Sequence, residues 1–181
     1  MAARILTPKG IFMKLKKEDL KGAIEVLIFF VVTMGVLLLF FTFVKFPKTS
    51  GPSMNPSFND GDVMITINTK KVDVNDIVVV NSRALDEYLV KRVIGVGGDH
   101  IEIRNSTLYR NGVPLYESYV STQTWCKESD TLDVIVPEGH IFIMGDNRVN
   151  SMDSRAIGSI PVSDIYGRVI FDFTTKTWYI D

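Results

Sequence analysis

A continuous apolar run near the N-terminus constrains this chain more than any other feature of its sequence. Residues 24–44 form 21 consecutive positions in which Glu25 is the only charged side chain. At 1.5 Å per residue, a helix of that length spans about 31 Å, which matches a bilayer core of about 30 Å. The run therefore predicts one transmembrane helix at residues 24–44.

Two other interpretations of the run are open. A removable signal peptide usually has an apolar part of only about 7–15 residues that ends at small residues, whereas this run is followed by Lys45-Phe46-Pro47-Lys48. A buried core helix would need a large partner surface, which the β-rich remainder of the chain does not offer. We therefore expect a permanent membrane anchor.

Basic side chains are distributed unevenly around the run. Only Lys45 and Lys48 follow it closely, and six precede it: Arg4, Lys9, Lys14, Lys16, Lys17 and Lys21. By the positive-inside rule, residues 1–23 are predicted to be a cytoplasmic segment. Residues 45–181 would then form an extracytoplasmic domain of a single-pass plasma-membrane protein.

Composition excludes several classes of function. The 20 basic and 21 acidic side chains give a net charge of -1, so the sequence shows no basic surface for a nucleic acid partner. A single cysteine, Cys126, rules out an internal disulfide framework. With 181 residues, the chain is long enough for one domain beside the anchor.

Short β-branched segments separated by turn residues follow Pro47, and they predict a mainly β domain. Six segments have strand patterns: residues 62–68, 77–80, 88–96, 131–136, 140–144 and 166–173. Asn111-Gly112 has the chemistry of a tight hairpin turn between residues 107–110 and 113–115. A final strand is expected at residues 178–181.

Sparse histidine limits the catalytic chemistry. The only two histidines, His100 and His140, follow turns, and no spacing typical of a zinc site occurs. A Ser-His-Asp triad remains open, because its members can be far apart in sequence, but few histidines make it the weaker hypothesis. We expect no metal site, so a serine nucleophile would need another base.

Ser53 is the first candidate for a reacting group. It lies in a loop where Gly51 permits a tight turn and Pro52 and Pro56 restrict the backbone, which could present the hydroxyl rigidly. The same segment could also be a plain linker that leaves the membrane. Ser53 is eight residues beyond Lys45, so an extended chain places it at most about 26–29 Å from that residue.

Lys91 is the second candidate. It interrupts an apolar strand and shares a strand face with Leu89 and Val93. If that face is buried, desolvation lowers the pKa of Lys91 and leaves a neutral amine that can accept a proton from a serine. A lysine on an edge strand that extends its side chain into water is the open alternative.

A third segment, residues 144–155, is denser in polar groups than a β-turn requires. It holds two carboxylates, Asp146 and Asp153, and two guanidinium groups, Arg148 and Arg155. These groups could brace an active site through ion pairs. They could also lie on a solvated loop, where each surface pair contributes about 0–1 kcal/mol.

Together, and in this order behind an apolar helix, the three segments resemble the conserved boxes of type I bacterial signal peptidases, which use a Ser/Lys dyad. The matching motifs are Ser53-Met54-x-Pro56, Lys91-Arg92 with Gly95 and Gly98-Asp99, and Gly145-Asp146-Asn147-Arg148-x-x-Ser151-x-Asp153-Ser154-Arg155. The likeness covers most of residues 24–170 and is greatest to the short form found in Gram-positive bacteria.

The resemblance implies a largely antiparallel β fold around a hydrophobic cleft, and it implies roles. Ser53 would attack the scissile carbonyl, Lys91 would accept its proton and pass it to the leaving amine, and Ser151 would hold the lysine amine. Four residues would form supporting ion pairs: Arg92 with Asp146, and Asp153 with Arg155. Three would shape the nucleophile loop: Gly51, Met54 and Pro56.

The implied partners follow from the same resemblance. Preprotein signal peptides would bind in the cleft as an additional strand, with small pockets for Ala-like residues one and three positions before the cut. The lipid bilayer is a second implied partner and the secretion machinery a further candidate, whereas neither a metal nor an organic cofactor is implied.

The chain departs from the family pattern at a few positions. Gly51 replaces a serine that some members use as an oxyanion donor, so this task would pass to backbone amides, chiefly that of Ser53. Glycine is frequent there in members from Gram-positive bacteria. Three further departures bear on substrate preference: Ser57, Asn75 and Val149.

These observations favour a membrane-bound serine endopeptidase that removes signal peptides at the outer face of the plasma membrane. The alternative in another class is a catalytically silent relative that assists the assembly of surface structures. A self-cleaving regulator of the repressor type also uses Ser/Lys chemistry, but it would need a DNA-binding module where this chain carries the predicted anchor.

Overall fold

The computed structural model describes residues 17–120 and 131–179. Contacts divide the chain into two compact units, residues 1–41 and 42–181. Several sequence predictions lie outside the described residues: those on Arg4, Lys9, Lys14, Lys16 and Cys126, and on the last two positions of the final strand.

The predicted apolar run forms one long helix, α1, at Lys17–Phe43. Its segment Leu20–Phe43 has a mean hydropathy of 2.8 and is not buried by the rest of the protein, so its length and composition suit a membrane span. The helix begins earlier than the predicted span and ends one residue sooner. Val44 instead pairs with Ile67 as the first residue of a strand.

The second unit is mainly β. Its strands are β1 Val44–Lys45, β2 Met64–Ile67, β3 Ile77–Ser82, β4 Glu87–Val96, β5 His100–Arg104, β6 Thr107–Arg110, β7 Val113–Pro114, β8 Leu132–Ile135, β9 His140–Met144, β10 Ile160–Pro161, β11 Ile165–Asp172 and β12 Thr177–Trp178. A short helix, α2 at Ser154–Ile157, follows β9. All the strand pairs between described residues are antiparallel, so the predicted fold class is confirmed.

The strands form two sheets. The larger has the order β1-β2-β11-β3-β4-β9-β10 with β12 beside β11, and the smaller has the order β7-β6-β5-β8. A shared apolar core joins them, in which Ile94 and Phe142 of the larger sheet pack with Ile101 and Leu108 of the smaller. The predicted hairpin is confirmed, with positive φ values of 53° at Asn111 and 77° at Gly112.

One stretch of β4 has a free edge. On one side β4 pairs with β3 from Glu87 to Arg92, but on the other side it pairs with β9 only from Arg92 to Val96. Within the part of the chain that the structure describes, residues 87–91 therefore have no strand on the β9 side. This stretch includes Lys91, one of the two predicted reacting residues.

Candidate active site

The loop that carries Ser53 is fixed by the side chains that follow it. Met54 is 2% exposed and Phe58 is fully buried, and both pack with Met64, Ile77 and Val79 in the core of the larger sheet. These two side chains attach the loop to the core. The half-buried Ser53 lies at its outer end.

The backbone of the loop is held from its other side by Asn147. Asn147 donates from its backbone amide to Ser53 O at 3.1 Å and from Nδ2 to Pro52 O at 3.1 Å. Gly51 has a φ of 80°, a conformation that glycine adopts without strain, and its amide donates to Asp60 Oδ1 at 2.9 Å. The nucleophile loop is therefore defined by contacts at both ends.

Lys91 meets Ser53 inside this arrangement. Its Nζ donates to Ser53 Oγ at 2.8 Å and to Val90 O at 3.0 Å, and the residue is only 2% exposed. The two residues are 38 positions apart in the sequence, and the fold brings them into direct hydrogen-bond contact. This distance lies in the range required between a nucleophile and its base.

Burial changes the acidity of this lysine. Desolvation lowers the pKa of Lys91 from 10.5 to about 8, although the charges of Asp153, Glu87 and Asp146 act to raise it. A water-exposed lysine is almost entirely protonated at neutral pH, whereas this one has a substantial neutral fraction. The site can therefore provide an amine base.

Arg92 points to the opposite side of β4 and forms a buried ion pair. Its Nε and Nη2 donate to Asp146 Oδ1 and Oδ2 at 2.9 and 2.7 Å. Ser57 Oγ donates to Asp146 Oδ2 at 2.5 Å, and Arg92 Nη1 donates to Asn75 O at 3.1 Å. Ser57 and Asn75, two departures from the family pattern, thus contribute directly to this cluster.

Asp153 forms the second buried ion pair. Arg155 donates to it from Nε and Nη2, each at 2.8 Å, and Gly145 N donates to Asp153 Oδ2 at 3.0 Å. Burial acts to raise the pKa of Asp153, but the hydrogen bonds and charge of Arg155, together with the contacts from Gly145 N and Ser151, more than offset it, so the pKa lies below its usual value. Asp153 also caps the N-terminus of α2. It therefore fixes the position of the loop between β9 and α2.

Ser151 lies near these groups without the predicted bond to the lysine. Its Oγ is buried and makes no hydrogen bond of good geometry to a described residue, although it lies close enough to the Asp153 carboxylate to help lower the pKa of that group. A Cβ built on Gly145 would lie 2.3 Å from this oxygen and 2.4 Å from Ser53 O. Gly145 therefore allows the two loops to pack closely, and Ser151 lies at their junction.

Two residues of the surroundings, Glu117 and Tyr119, were not predicted from the sequence. Arg148 Nη1 and Nη2 each donate to a carboxylate oxygen of Glu117 at 2.6 Å, and Arg148 Nε donates to Gly145 O at 3.1 Å. Tyr119 donates to Glu117 Oε1 at 2.7 Å, and the Arg92 guanidinium lies 3.8 Å from the centre of the Tyr119 ring. Their sequence segment has no motif that could have indicated this.

A cleft of about 470 Å³ opens beside the Ser53/Lys91 pair. Its walls include the nucleophile loop from Ser50 to Ser53, the free-edge stretch of β4 from Glu87 to Lys91, and the apolar or aromatic side chains Val79, Met152 and Tyr166. The cleft thus combines an open strand edge with apolar walls. Such a site can accept an extended peptide.

Among the described residues, one group of side chains has the composition and spacing to hold a metal ion. His100, Glu102 and Asp133 have ligand atoms within 4.8 Å of one another. His100 Nε2 lies 2.7 Å from Asp133 Oδ1, and this contact raises the pKa of His100. Cross-strand pairing of β5 with β8 brings the group together, which the sequence spacing did not indicate. No serine hydroxyl among the described residues is hydrogen-bonded to either histidine.

Comparison with known proteins identifies relatives of this chain. The family model described as "Signal peptidase, peptidase S26" matches residues 23–174. Signal peptidase IB of Staphylococcus aureus strain COL is 36% identical over 179 residues, covering 88% of this chain and 91% of that protein. Signal peptidase I of Bacillus amyloliquefaciens is 35% identical over 156 residues, covering 78% and 79% of the two chains.

A solved structure is also similar. It is a signal peptidase I from Enterococcus faecalis V583, with 32% identity and a TM-score of 0.48, covering 54% of this chain and 96% of that one. The family model and the two curated relatives each match most of this chain. The chain therefore belongs to the peptidase S26 family of signal peptidases and is a serine hydrolase.

Proposed function

We propose that this protein is a membrane-anchored endopeptidase that cleaves signal peptides from secreted preproteins with Ser53 as nucleophile and Lys91 as general base. The observation that carries the proposal is the 2.8 Å contact between Lys91 Nζ and Ser53 Oγ, made by a lysine that is 2% exposed. A neutral Lys91 amine takes the proton of Ser53 while Oγ attacks the scissile carbonyl carbon. The protonated amine then gives this proton to the leaving amine.

The second half of the reaction uses the same pair. Lys91 accepts a proton from a water molecule, the water oxygen attacks the ester carbonyl carbon, and the proton passes to Ser53 Oγ as the ester bond breaks. The negative charge that develops on the carbonyl oxygen needs donors. We assign this role to the backbone amide of Ser53, because no described residue accepts a hydrogen bond from this amide, which leaves it available to the substrate oxygen.

Substrate binding uses the free edge of β4. The segment before the cut lies along residues 87–91 as an added strand, and its alternate side chains enter the apolar part of the cleft near Val79 and Tyr166. Small side chains one and three positions before the cut point to the same side of such a strand. This periodicity is consistent with the preference expected from the family resemblance.

The membrane arrangement is part of the proposal. Helix α1 anchors the protein, residues 1–23 are cytoplasmic, and the catalytic unit faces the extracytoplasmic side, where exported preproteins emerge. The apolar length of Leu20–Phe43 and the excess of basic residues before it support this orientation. A protease-protection assay on inverted and right-side-out vesicles tests it, because the outer unit should be digested only in right-side-out vesicles.

The decisive experiment is cleavage of a model preprotein in detergent by the intact protein and by Ser53→Ala and Lys91→Ala variants, with the new N-terminus sequenced. We expect cleavage after a small residue by the intact protein and no cleavage by either variant. A folded intact protein that cleaves no preprotein would favour the silent assembly factor instead. The close Ser53–Lys91 contact argues against that alternative, because assembly alone requires neither side chain.

A further inference from the structure

The loop that carries Asn147 is held by an ion pair with a distant segment. Arg148 has a fully buried side chain, and its guanidinium binds Glu117 through both Nη atoms at 2.6 Å while Nε donates to Gly145 O at 3.1 Å. One planar guanidinium thus connects Glu117 to the loop backbone three residues before Arg148. Arginine suits this geometry because its donors point in fixed directions.

Tyr119 connects Glu117 to the second buried ion pair. Its hydroxyl donates to Glu117 Oε1 at 2.7 Å, and its ring faces the guanidinium of Arg92, which binds Asp146 through two hydrogen bonds. The side chains Asp146, Arg92, Tyr119, Glu117 and Arg148 therefore form a column in which the charges alternate and sum to zero. Removing one charge would take a close ionic partner from a buried neighbour in the column.

The column acts on the nucleophile through the loop at residues 145–148. Asn147 makes two hydrogen bonds to the backbone of Pro52 and Ser53, and the Cα of Gly145 packs against Ser53 O. A shift of this loop therefore moves Ser53 relative to Lys91. Loss of about 1 Å in the alignment of reacting groups can reduce a rate by about 100-fold.

The core of the larger sheet does not depend on the column. Met54 and Phe58 attach the other end of the nucleophile loop to that core, and Glu117 and Tyr119 belong to neither a strand nor an apolar cluster. The loop at residues 145–148 likewise has no strand partner. Its position therefore depends on side-chain contacts more than on the sheets.

We propose that Glu117 and Tyr119 are positioning residues, which hold the 145–148 loop, and through it Ser53, in the geometry required for attack. The inference rests on the proposed Ser53/Lys91 function. Neither residue contacts the reacting atoms, so their effect should be on the turnover of correctly folded sites rather than on peptide binding along β4.

The test compares Glu117→Gln and Tyr119→Phe with the intact protein in detergent. Cleavage of a signal peptide substrate gives kcat and KM, the concentration of reactive sites is titrated with a covalent serine-directed probe, and thermal unfolding gives Tm. We expect kcat per titrated site to fall about tenfold to 100-fold in Glu117→Gln and about threefold to tenfold in Tyr119→Phe. KM should stay within about twofold.

Glu102→Gln is the matched control. Glu102 is also a partly buried glutamate with a guanidinium partner, Arg104 at 3.5 Å, but it lies on β5 in the smaller sheet, whereas Lys91 lies on β4 in the larger one. This variant should keep the kcat of the intact protein even if its Tm falls.

The outcomes separate the hypotheses. An unchanged kcat per titrated site in both variants would overturn the positioning role, and so would a loss of activity that only follows the loss of titrated sites. If Glu117→Gln does not fold, the result for Tyr119→Phe decides, because this variant keeps the ring under Arg92. If the intact protein cleaves no signal peptide, the proposed function fails, and the positioning inference fails with it.

Discussion

Cleavage should follow the neutral fraction of Lys91 as pH is varied. With its pKa lowered by burial to about 8, about one tenth of the molecules carry a neutral amine at pH 7 and about one hundredth at pH 6. At a pKa of 10.5 the neutral population at pH 7 would be about 300-fold smaller. We therefore expect kcat/KM to rise about tenfold per unit well below pH 8 and to level off above about pH 9.

The assay measures kcat/KM between pH 5.5 and 9.5 with a signal peptide substrate that has no group titrating in this range. Circular dichroism at each pH checks that the protein remains folded. Lys91→Arg should be inactive throughout the range, because a guanidinium stays protonated and cannot accept the serine proton.

Two results would contradict the role of Lys91 as the base. A midpoint near 6.5 would indicate that a group other than Lys91, with the ordinary pKa of a histidine, limits the reaction. Turnover by Lys91→Arg at any pH in the range would show that another group is the base. Either result would mean that proton transfer from Ser53 to Lys91 is not the step that drives the reaction, despite the close contact between them.

Two further perturbations test parts of this account. Gly145→Ala should reduce kcat by about 100-fold, because the new methyl group would lie 2.4 Å from Ser53 O and displace the nucleophile. The control is Gly167→Ala, whose methyl group would meet Ile67 O at 3.0 Å and should lower Tm without lowering kcat. Equal kcat values in the two variants would contradict this prediction. Glu87→Gln removes a charge that raises the pKa of Lys91, so the midpoint of the pH profile should move to lower pH. A midpoint that stays in place or moves to higher pH would show that this charge does not raise the pKa of the base.

Much of the β architecture could be predicted because period-2 patterns and turn residues are local signals. Each of the six predicted segments overlaps an observed strand, and the Asn111-Gly112 hairpin has the expected positive φ values. β5 was missed although Ile101 and Ile103 alternate with polar residues, because its ends are charged and it follows a turn directly. β10 has only two residues, which is too short to produce a pattern.

In the candidate site, too, only the residues with a local sequence signal could be predicted. Ser53 and Lys91 stood out because each is unusual in its local context, a hydroxyl between prolines and a cation in an apolar strand. Glu117 and Tyr119 did not, because an acidic residue and a tyrosine in a turn-rich segment are ordinary. Their importance comes only from the tertiary fold, which places them against Arg148 and Arg92.

The arrangement of charges around Lys91 explains why the site needs more residues than the reacting pair. Asp146 and Asp153 both act to raise the pKa of Lys91, and an unshielded carboxylate beside it would stabilise the ammonium and remove the base. Each of these carboxylates instead receives two hydrogen bonds from the guanidinium of Arg92 or Arg155. The arginines offset the negative charge without approaching the amine themselves, so burial remains the largest influence on Lys91. The same alternation along β4 that directs Lys91 toward Ser53 directs Arg92 toward Asp146, and adjacent positions of one strand thus supply both the base and part of its electrostatic shield.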